Sequence, residues 1–288
     1  MKRILHITSG DMAGELLSKS TIEGDVFVWH DILYDGPRKP GWPDDAALDA
    51  RADFLSGITG GGLNKQYVLG TLKAQYAKLK NVPDYDSVVL WFDACLFDQS
   101  MLCHILSCMR FLGHEHAELL CIDAFPGIES YHGLGQLSAD QLASMYSQRQ
   151  KLTSAHFIFA DRVDRAFACQ DQAEFRNLAE ADVPLPWIPA AVRRWMAEYP
   201  DEVTGLGKLE KLALEAIRSG IERPQDIFTF VAEQETPPQY WGDITLWGKI
   251  NAMADREPPL VNIEGPKPRL PQWEGIGDLK LFRVLPNQ

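Results

Sequence analysis

Acidic and small polar residues come directly after four short apolar stretches of this sequence. The set comprises Thr8, Ser9, Asp11, Asp31, Asp35, Asp93, Asp98 and Asp123. Several carboxylates at one place can hold a hard cation such as Mg²⁺, or divide acid and base roles because their mutual repulsion separates their pKa values. The alternative is structural, since an Asp after a strand is a frequent helix N-cap or turn residue.

The four apolar stretches are typical of β-strands, and helical patterns separate them. The predicted strands are residues 3–8, 25–29, 87–92 and 118–122. The predicted helices are residues 11–19, 69–79 and 102–112. This alternation predicts an α/β fold with a Rossmann-like, mostly parallel sheet of about four strands. Ligands bind such sheets beyond the carboxyl ends of the strands, where the polar residues lie.

A small polar turn joins the first predicted strand to the first helix. Its residues, Ser9, Gly10 and Asp11, lack both the G-x-G-x-x-G fingerprint of dinucleotide sites and the lysine of a P-loop. The helix start offers N–H groups to one phosphate or carboxylate, but the carboxylate of Asp11 would oppose an anion there. A ribose hydroxyl, an amine or a cation fits the turn better.

Three motifs in the first part of the chain follow one another in a fixed order. They are His6-Ile7-Thr8-Ser9-Gly10-Asp11, then Trp29-His30-Asp31-Ile32-Leu33-Tyr34-Asp35-Gly36-Pro37, then an apolar strand leading into Asp98-Gln99. In order and spacing they resemble the N-terminal domain of a bacterial family described as a domain of unknown function, over roughly the first 130 residues. The resemblance implies no activity.

The candidate ligand-binding set combines the polar strand ends with residues of these motifs. It comprises His6, Thr8, Ser9, Gly10, Asp11, Trp29, Asp31, Gly36, Asp93, Asp98 and Gln99. A histidine inside a strand is more often a hydrogen-bonded interior residue than a catalyst, although an ordinary pKa of about 6.5 suits proton transfer. Trp29 and Trp91 could belong to the core or stack against a base or sugar.

The segment between the second predicted strand and the next helix is unusually long. Residues 36–64 contain three prolines, a short helical pattern at 46–55 and a group of glycines. Long loops inside α/β domains are usually functional or disordered. Because this loop leaves the carboxyl end of a strand, we expect it to cover the crevice.

A cluster of cysteines and histidines does not predict a metal site. It contains Cys103, His104, Cys108, His114 and His116, but on a helix the two cysteines lie about 140° apart. No Cys-x-x-Cys is present. The five cysteines of the chain are odd in number and lie mostly in apolar stretches, which favours reduced, buried thiols. No cofactor is identified.

Changes in pattern predict three segments. Residues 1–135 form the Rossmann-like domain, and residues 136–204 form a helical connecting region. Residues 205–288 contain three short helices followed by two strand-like stretches, the order of a winged helix. This last segment has ten basic and twelve acidic residues and thus a net charge of −2. DNA-reading winged helices usually present a basic face, so contact with a protein is at least as good an explanation.

Composition narrows the function classes. The net charge of −12 argues against general affinity for nucleic acid. No secretory signal or membrane-spanning stretch is recognised, so we expect a cytoplasmic protein. The first hypothesis is a protein that binds a small polar or nucleotide-like ligand and couples it to a C-terminal interaction module. The partner of that module could be another protein. The alternatives are a hydrolase or transferase using the same carboxylates, with or without Mg²⁺, and a DNA-binding regulator.

Overall fold

The computed structural model describes residues 2–235, 239–273 and 275–287. Contacts divide the chain into two units. The first contains the described residues of Met1–Ala52, Leu69–Arg194 and Pro237–Tyr240. The second contains those of Asp53–Val68, Trp195–Thr236 and Trp241–Gln288. The segment limits expected after residues 135 and 204 stay predictions.

Strands and helices alternate through the first part of the chain, and helices predominate after it. The strands are β1 Ile4–Ser9, β2 Asp25–Trp29, β3 Ser87–Asp93, β4 Glu118–Ile122, β5 Gln150–Lys151, β6 Val261–Glu264 and β7 Arg283–Pro286. The helices are α1 Asp11–Lys19, α2 Asp45–Ile58, α3 Lys65–Leu79, α4 Leu96–Phe111, α5 Ala139–Met145, α6 Ser154–Cys169, α7 Gln172–Glu180, α8 Ile188–Met196, α9 Lys208–Arg218, α10 Pro224–Glu233 and α11 Asp243–Ala254.

The first unit is built on a mostly parallel sheet with the strand order β2-β1-β3-β4-β5. The first four strands are parallel, in the positions predicted to within one residue. β5 pairs with β4 in the antiparallel direction and makes the sheet five-stranded rather than four-stranded. Its two residues, Gln150 and Lys151, are exposed, so β5 leaves no apolar run in the sequence.

Helices cover both faces of this sheet. On one face α1 packs so closely on β2 that a Cβ at Gly14 would lie 2.2 Å from Val28 Cγ2. On the other face Trp29 packs edge-on against Tyr76 of α3 and His104 of α4, with ring centroids 5.1 and 6.1 Å apart. The strands are therefore buried on both sides, which explains their nearly continuous apolar character.

The connection after β2 is held by hydrogen bonds from side chains to its main-chain carbonyl groups. The acceptors are the carbonyl oxygens of His30, Ile32, Leu33, Tyr34 and Asp35. The donors are the side chains of Gln75, Arg51, Arg38 and Gln170. Side chains thus replace the main-chain partners that an irregular segment lacks. This connection has a defined shape despite its lack of regular structure.

The following residues of the loop lie against α4 and α6. Arg38 Nη1 donates to Asp164 Oδ1 at 2.6 Å, and Gly41 N donates to Asp164 Oδ2 at 2.6 Å. Trp42 stacks on Phe111, the last residue of α4, with ring centroids 5.8 Å apart. Since α4 begins at the carboxyl edge of the sheet and runs away from it, residues 38–42 lie away from that edge. Cover of the crevice by the rest of the loop, residues 36–64, stays a prediction.

The second unit contains α9, α10, α11 and the antiparallel pair β6 and β7. This is the predicted order of three helices followed by two strands. Helix α11 buries one face, through Leu246, Trp247, Ile250 and Met253 among others. Asn251 is fully buried and binds the main chain of Leu270 in both directions, so the segment between β6 and β7 folds back over α11.

Among the described residues, no helix is both long enough and apolar enough to cross a membrane.

Candidate functional site

β1 ends where the order of the strands changes direction. From β1 the chain passes to β2 on one side, and it later returns to β3 on the other side. The connections therefore separate at the carboxyl ends of β1 and β3, which is where open α/β sheets bind ligands. Ser9 is the last residue of β1 and Asp93 the last residue of β3.

Asp98 joins the ends of these two strands through its carboxyl group. Ser9 Oγ donates to Asp98 Oδ1 at 2.5 Å, and the main-chain N–H of Asp93 donates to Asp98 Oδ2 at 2.6 Å. Asp98 lies in the first turn of α4 and is 2% exposed. One buried side chain thus links β1, β3 and α4.

Asp93 points toward the opposite face of the sheet, where the connection after β4 covers it. Tyr131 donates its hydroxyl proton to Asp93 Oδ1, and the main-chain N–H of Leu134 donates to Oδ2 at 2.8 Å. Gly133 has a φ of +136°, and a Cβ there would lie 2.9 Å from Asp93 Oδ2. A side chain at residue 133 would therefore displace the connection after β4 from the Asp93 carboxyl group.

The two carboxyl groups are buried without a cationic partner. In the described part of the chain, no Lys, Arg or His forms an ion pair with Asp93 or Asp98. Burial raises the pKa of Asp98 to about 8, and the neighbouring Asp93 carboxylate adds to this shift. Burial also raises the pKa of Asp93 to about 6, against the hydrogen bonds from Tyr131 and Leu134. At neutral pH the pair therefore keeps a proton.

Gln99 lies beside this pair, and one of its two polar side-chain atoms has no hydrogen-bond partner among the described residues. Its Nε2 donates to the carbonyl oxygen of Asp93 at 2.8 Å and contacts Cys121 Sγ at 3.3 Å. Its Oε1 is buried and has no hydrogen-bond partner among the residues described. A buried acceptor without a donor is rare and marks a place for a water molecule or a ligand group.

The cysteines at this edge are thiols rather than nucleophilic thiolates. Cys95 is the N-cap of α4 and accepts a hydrogen bond from the main-chain N–H of Asp98 at 3.5 Å. Burial, and then the charges of Asp98 and Asp93, raise the pKa of Cys95. Cys121 has a raised pKa for the same reasons. Within the described ranges, no group of three or more His, Cys, Asp or Glu could hold a metal ion.

The predicted site residues at the end of β2 build the fold instead of joining this cluster. Asp31 is buried and accepts from Arg51 Nε at 2.9 Å, and its side chain is 1% exposed. Trp29 is fully buried among aromatic rings. Gly36 adopts a φ of +80° in a turn closed by the Asp35 carboxylate. Arg51, the partner of Asp31, comes 20 residues later in a helix, and nothing in the sequence identifies it as a partner.

Asp11 contacts a residue that the sequence analysis did not select. Asp11 Oδ1 lies 2.7 Å from His30 Nε2, and both side chains are accessible, 86% and 46% exposed. His30 follows Trp29, which is opposite Ser9 in the pairing of β1 and β2. The pair therefore lies at the carboxyl edge, beside Gly10. The signal that could have found it is the place of His30 directly after an apolar strand.

His6 and Thr8 are interior residues. Trp91 Nε1 donates to His6 Nδ1 at 3.1 Å, so His6 Nε2 carries the proton that is donated to the carbonyl oxygen of Glu23 at 3.2 Å. Both nitrogen atoms are engaged, and burial lowers the pKa of His6. Thr8 is buried and donates to the carbonyl oxygen of Ser9 at 3.3 Å. His6 is therefore a neutral histidine of the core, the role that the sequence analysis weighed against catalysis.

A second buried polar chain lies under the loop after β2. Asp164 accepts from His104 Nδ1 at 3.0 Å, and His104 Nε2 lies 2.6 Å from the hydroxyl of Tyr76. Burial alone would raise the pKa of Asp164, but the charges of Arg38 and His104 hold it well below its usual range. These hydrogen-bonded side chains anchor the loop, and they are buried from solvent.

The fold and site define an α/β protein with a polar, partly protonated cluster at the switch point of a mostly parallel sheet. Of the predicted set, the structure brings Ser9, Asp93, Asp98 and Gln99 together, and Gly10 and Asp11 follow Ser9 directly. It leaves His6, Thr8, Trp29, Asp31 and Gly36 in the core or the supporting loop. No protein-family model matches this sequence, and no curated protein matches it.

Proposed function

We propose that this protein binds a small polar or nucleotide-like ligand at the carboxyl ends of β1 and β3. The observation that carries the proposal is the chain of hydrogen bonds from Ser9 through Asp98 to Asp93, buried without a cation at the switch point. Buried acids without a counter-ion are unfavourable unless a proton or a ligand compensates them. The Rossmann-like assignment and the resemblance to the bacterial family of unknown function belong to the same proposal.

The partners that a ligand would find are both donors and acceptors. Gly10, the N-cap of α1, has a φ of +71° and makes no side-chain cap, so the first N–H groups of α1 face the edge. Gln99 Oε1 is an acceptor without a donor. The carboxylate of Asp11 is turned toward His30, which reduces the conflict with an anion predicted for this turn. An anionic group of a ligand would use the N–H groups of α1, and its hydroxyl or amino groups would use the accessible Asp11 carboxylate, whereas Gln99 Oε1 itself is buried.

Native mass spectrometry of the purified full chain, followed by denaturing extraction, tests for a bound ligand. Ser9→Ala removes the hydroxyl at the switch point, and Ser107→Ala is the matched control, because Ser107 also donates to an aspartate, Asp161, away from this edge. We expect a co-purified small molecule, or stabilisation by nucleotides, nucleosides, sugar phosphates or amino acids, that Ser9→Ala weakens and Ser107→Ala leaves unchanged. A ligand at 100 times its Kd stabilises by about 2.7 kcal/mol. No bound mass and no stabilisation by any class would contradict the proposal.

The second candidate is a hydrolase or transferase acting at the same cluster. What favours it is the pair of buried acids with raised pKa values, because such groups can hold or release a proton near neutral pH. Assays of phosphorylated and nucleotide substrates test this candidate. Turnover that collapses in Asp98→Asn while ligand affinity changes little would support catalysis over binding alone.

The second unit is proposed as a winged-helix-like module that binds a protein rather than nucleic acid. Its third helix, α11, is the one that would enter a DNA groove, but it carries a single basic residue, Lys249, against the acidic Asp243. The net charge of −2 for residues 205–288 agrees with this choice. The cytoplasmic location is also part of the proposal, and it is supported by the five cysteines, all of which are free thiols.

A further inference from the structure

The main chain of His30 forms two hydrogen bonds with one buried side chain, that of Gln75. Gln75 is buried and uses both ends of its side-chain amide on His30. The main-chain N–H of His30 donates to Gln75 Oε1 at 2.6 Å, and Gln75 Nε2 donates to the carbonyl oxygen of His30 at 3.1 Å. This pair of hydrogen bonds sets the direction in which the imidazole leaves the main chain.

The imidazole is then oriented by Asp11. The contact of 2.7 Å between His30 Nε2 and Asp11 Oδ1 places the ring proton on Nε2 and leaves the lone pair of Nδ1 without a partner among the described residues. An isolated ion pair at such exposure contributes little to stability. Stability therefore does not explain why both the main chain and the Nε2 atom of His30 are held.

No other histidine of the described chain combines a carboxylate on one nitrogen with a second nitrogen that has no partner, in an accessible side chain. His6 uses both nitrogen atoms inside the core. His104 does the same between Tyr76 and Asp164. His156 uses Nδ1 to cap α6 at Thr153. Position and orientation thus distinguish His30.

We propose that His30 is the proton-accepting residue of the candidate site, oriented by Asp11 and positioned by Gln75. This inference rests on the proposed ligand site, and the substrate class it names is a ligand with a hydroxyl group, or a ligand attacked by water. The proton passes from that O–H group to the lone pair of His30 Nδ1, and the oxygen keeps the electrons of the O–H bond. The imidazolium that forms keeps its Nε2–H on the Asp11 carboxylate, whose negative charge stabilises it.

Hydrolysis of p-nitrophenyl acetate by the full chain tests the reactivity of this lone pair without the natural ligand. Nδ1 attacks the ester carbonyl and releases p-nitrophenolate, and water then cleaves the acyl-imidazole. We expect His30→Gln to remove most of the protein-dependent rate, and Asp11→Asn and Gln75→Met to lower it, on the order of tenfold. His132→Gln is the matched control, because His132 is also exposed. It should leave the rate unchanged.

Nitrogen-15 NMR of the wild-type imidazoles provides a measurement that does not depend on any variant folding. In the wild type we expect His30 to carry its proton on Nε2 and to have no proton on Nδ1. In a second measurement, on Asp11→Asn, we expect a mixture of the two neutral forms. An unchanged ester rate in His30→Gln, or a proton on Nδ1, overturns the inference. A reactive His30 in a chain that binds no ligand contradicts the proposed function alone, whereas an unreactive His30 in a chain that carries a ligand contradicts only this inference.

Discussion

Asp98 both holds two strand ends together and has a carboxyl group whose pKa is raised toward neutral pH. Its carboxyl group accepts hydrogen bonds from Ser9 and from the main chain of Asp93, so it helps to align the ends of two strands. The same burial that makes these bonds effective disfavours the charged form. The stabilisation it provides therefore depends on whether it carries a proton.

The unfolding free energy should fall as pH rises through the range in which this pair titrates. The pKa values of Asp93 and Asp98 are raised to about 6 and about 8, above the ordinary value of about 3.9. The folded chain binds these protons more tightly, so the stabilisation is complete below pH 4 and is lost toward pH 8. Asp98→Asn imitates the protonated form, and we expect it to raise the stability at pH 8 by on the order of 2 kcal/mol while changing little at pH 4.

Urea unfolding at several pH values measures this difference. Asp140→Asn is a suitable control, because Asp140 is exposed in the first turn of α5 and the chemical substitution is the same. A parallel pH dependence in the wild type and Asp98→Asn would contradict the assignment. Asp164 does not interfere above pH 5, since its pKa is lowered and its contribution is lost only in acid.

The sequence predicted the residues whose role follows from strand order and failed where the role depends on a distant partner. Ser9, Asp93 and Asp98 meet because they follow parallel strands. Asp31 follows a strand in the same way, yet Arg51 binds it from α2. His30 was missed because its neighbours Trp29 and Asp31 carried the motif. Spacing along the chain does not reveal which of two adjacent residues turns toward solvent.

At the scale of elements, the buried pair of Asp31 and Arg51 supports the connection after β2. Arg51→Met keeps much of the side-chain volume but leaves the Asp31 carboxylate without a counter-ion and two carbonyl groups without their donors. Loss of one member of a buried ion pair costs about 3 to 5 kcal/mol, and we expect a loss of that order in urea unfolding. Asp31→Asn combined with Arg51→Met should recover part of it.

The exposed pair of Lys19 and Glu15 serves as the control, because both side chains are more than half accessible. Lys19→Met should change the unfolding free energy by less than about 0.5 kcal/mol. If Arg51→Met had as small an effect as Lys19→Met, the loop would not depend on the buried pair.

The contact between α1 and β2 predicts opposite effects for two helical glycines. Alanine at Gly70 in α3 would meet nothing within 4 Å, so Gly70→Ala should stabilise by about 0.5 to 1 kcal/mol through its helix propensity. Alanine at Gly14 would meet Val28 Cγ2 at 2.2 Å, so Gly14→Ala should destabilise by about 1 to 3 kcal/mol despite the same gain. Thermal unfolding compares the two variants directly. Adding Val28→Ala should relieve Gly14→Ala, and a stabilising Gly14→Ala would show that the helix can shift outward.

Element prediction succeeded where a hydrophobic period extends over several residues. β1 to β4 and α1 have this property, and their bounds agree with the sequence to within one residue. β5 has two exposed residues and therefore no period to detect. The path of residues 38–42 depends on Asp164, more than 120 positions away, and composition could not reveal it.

At the scale of the whole molecule, the net charge and the composition of α11 lead to one prediction for nucleic acid. A net charge of −12 disfavours approach to a phosphate backbone, and α11 carries a single basic residue, Lys249. We expect no submicromolar binding of random or genomic duplexes at low salt, measured by fluorescence anisotropy. Tight binding that weakens steeply with added salt would favour the DNA-binding regulator instead.

The hydrogen bonds that shape the connection after β2 also set the order of events during synthesis. The parallel strands β1 to β4 are complete once residue 122 has been made, but Asp164 and Gln170 belong to a part of the chain translated later. Because chains fold as they are made from the N-terminus, a nascent chain can pair its strands before it can fix the connection after β2. A ribosome-bound intermediate ending before α6 would thus have a formed sheet, whereas the connection after β2 would still lack its hydrogen bonds to Asp164 and Gln170.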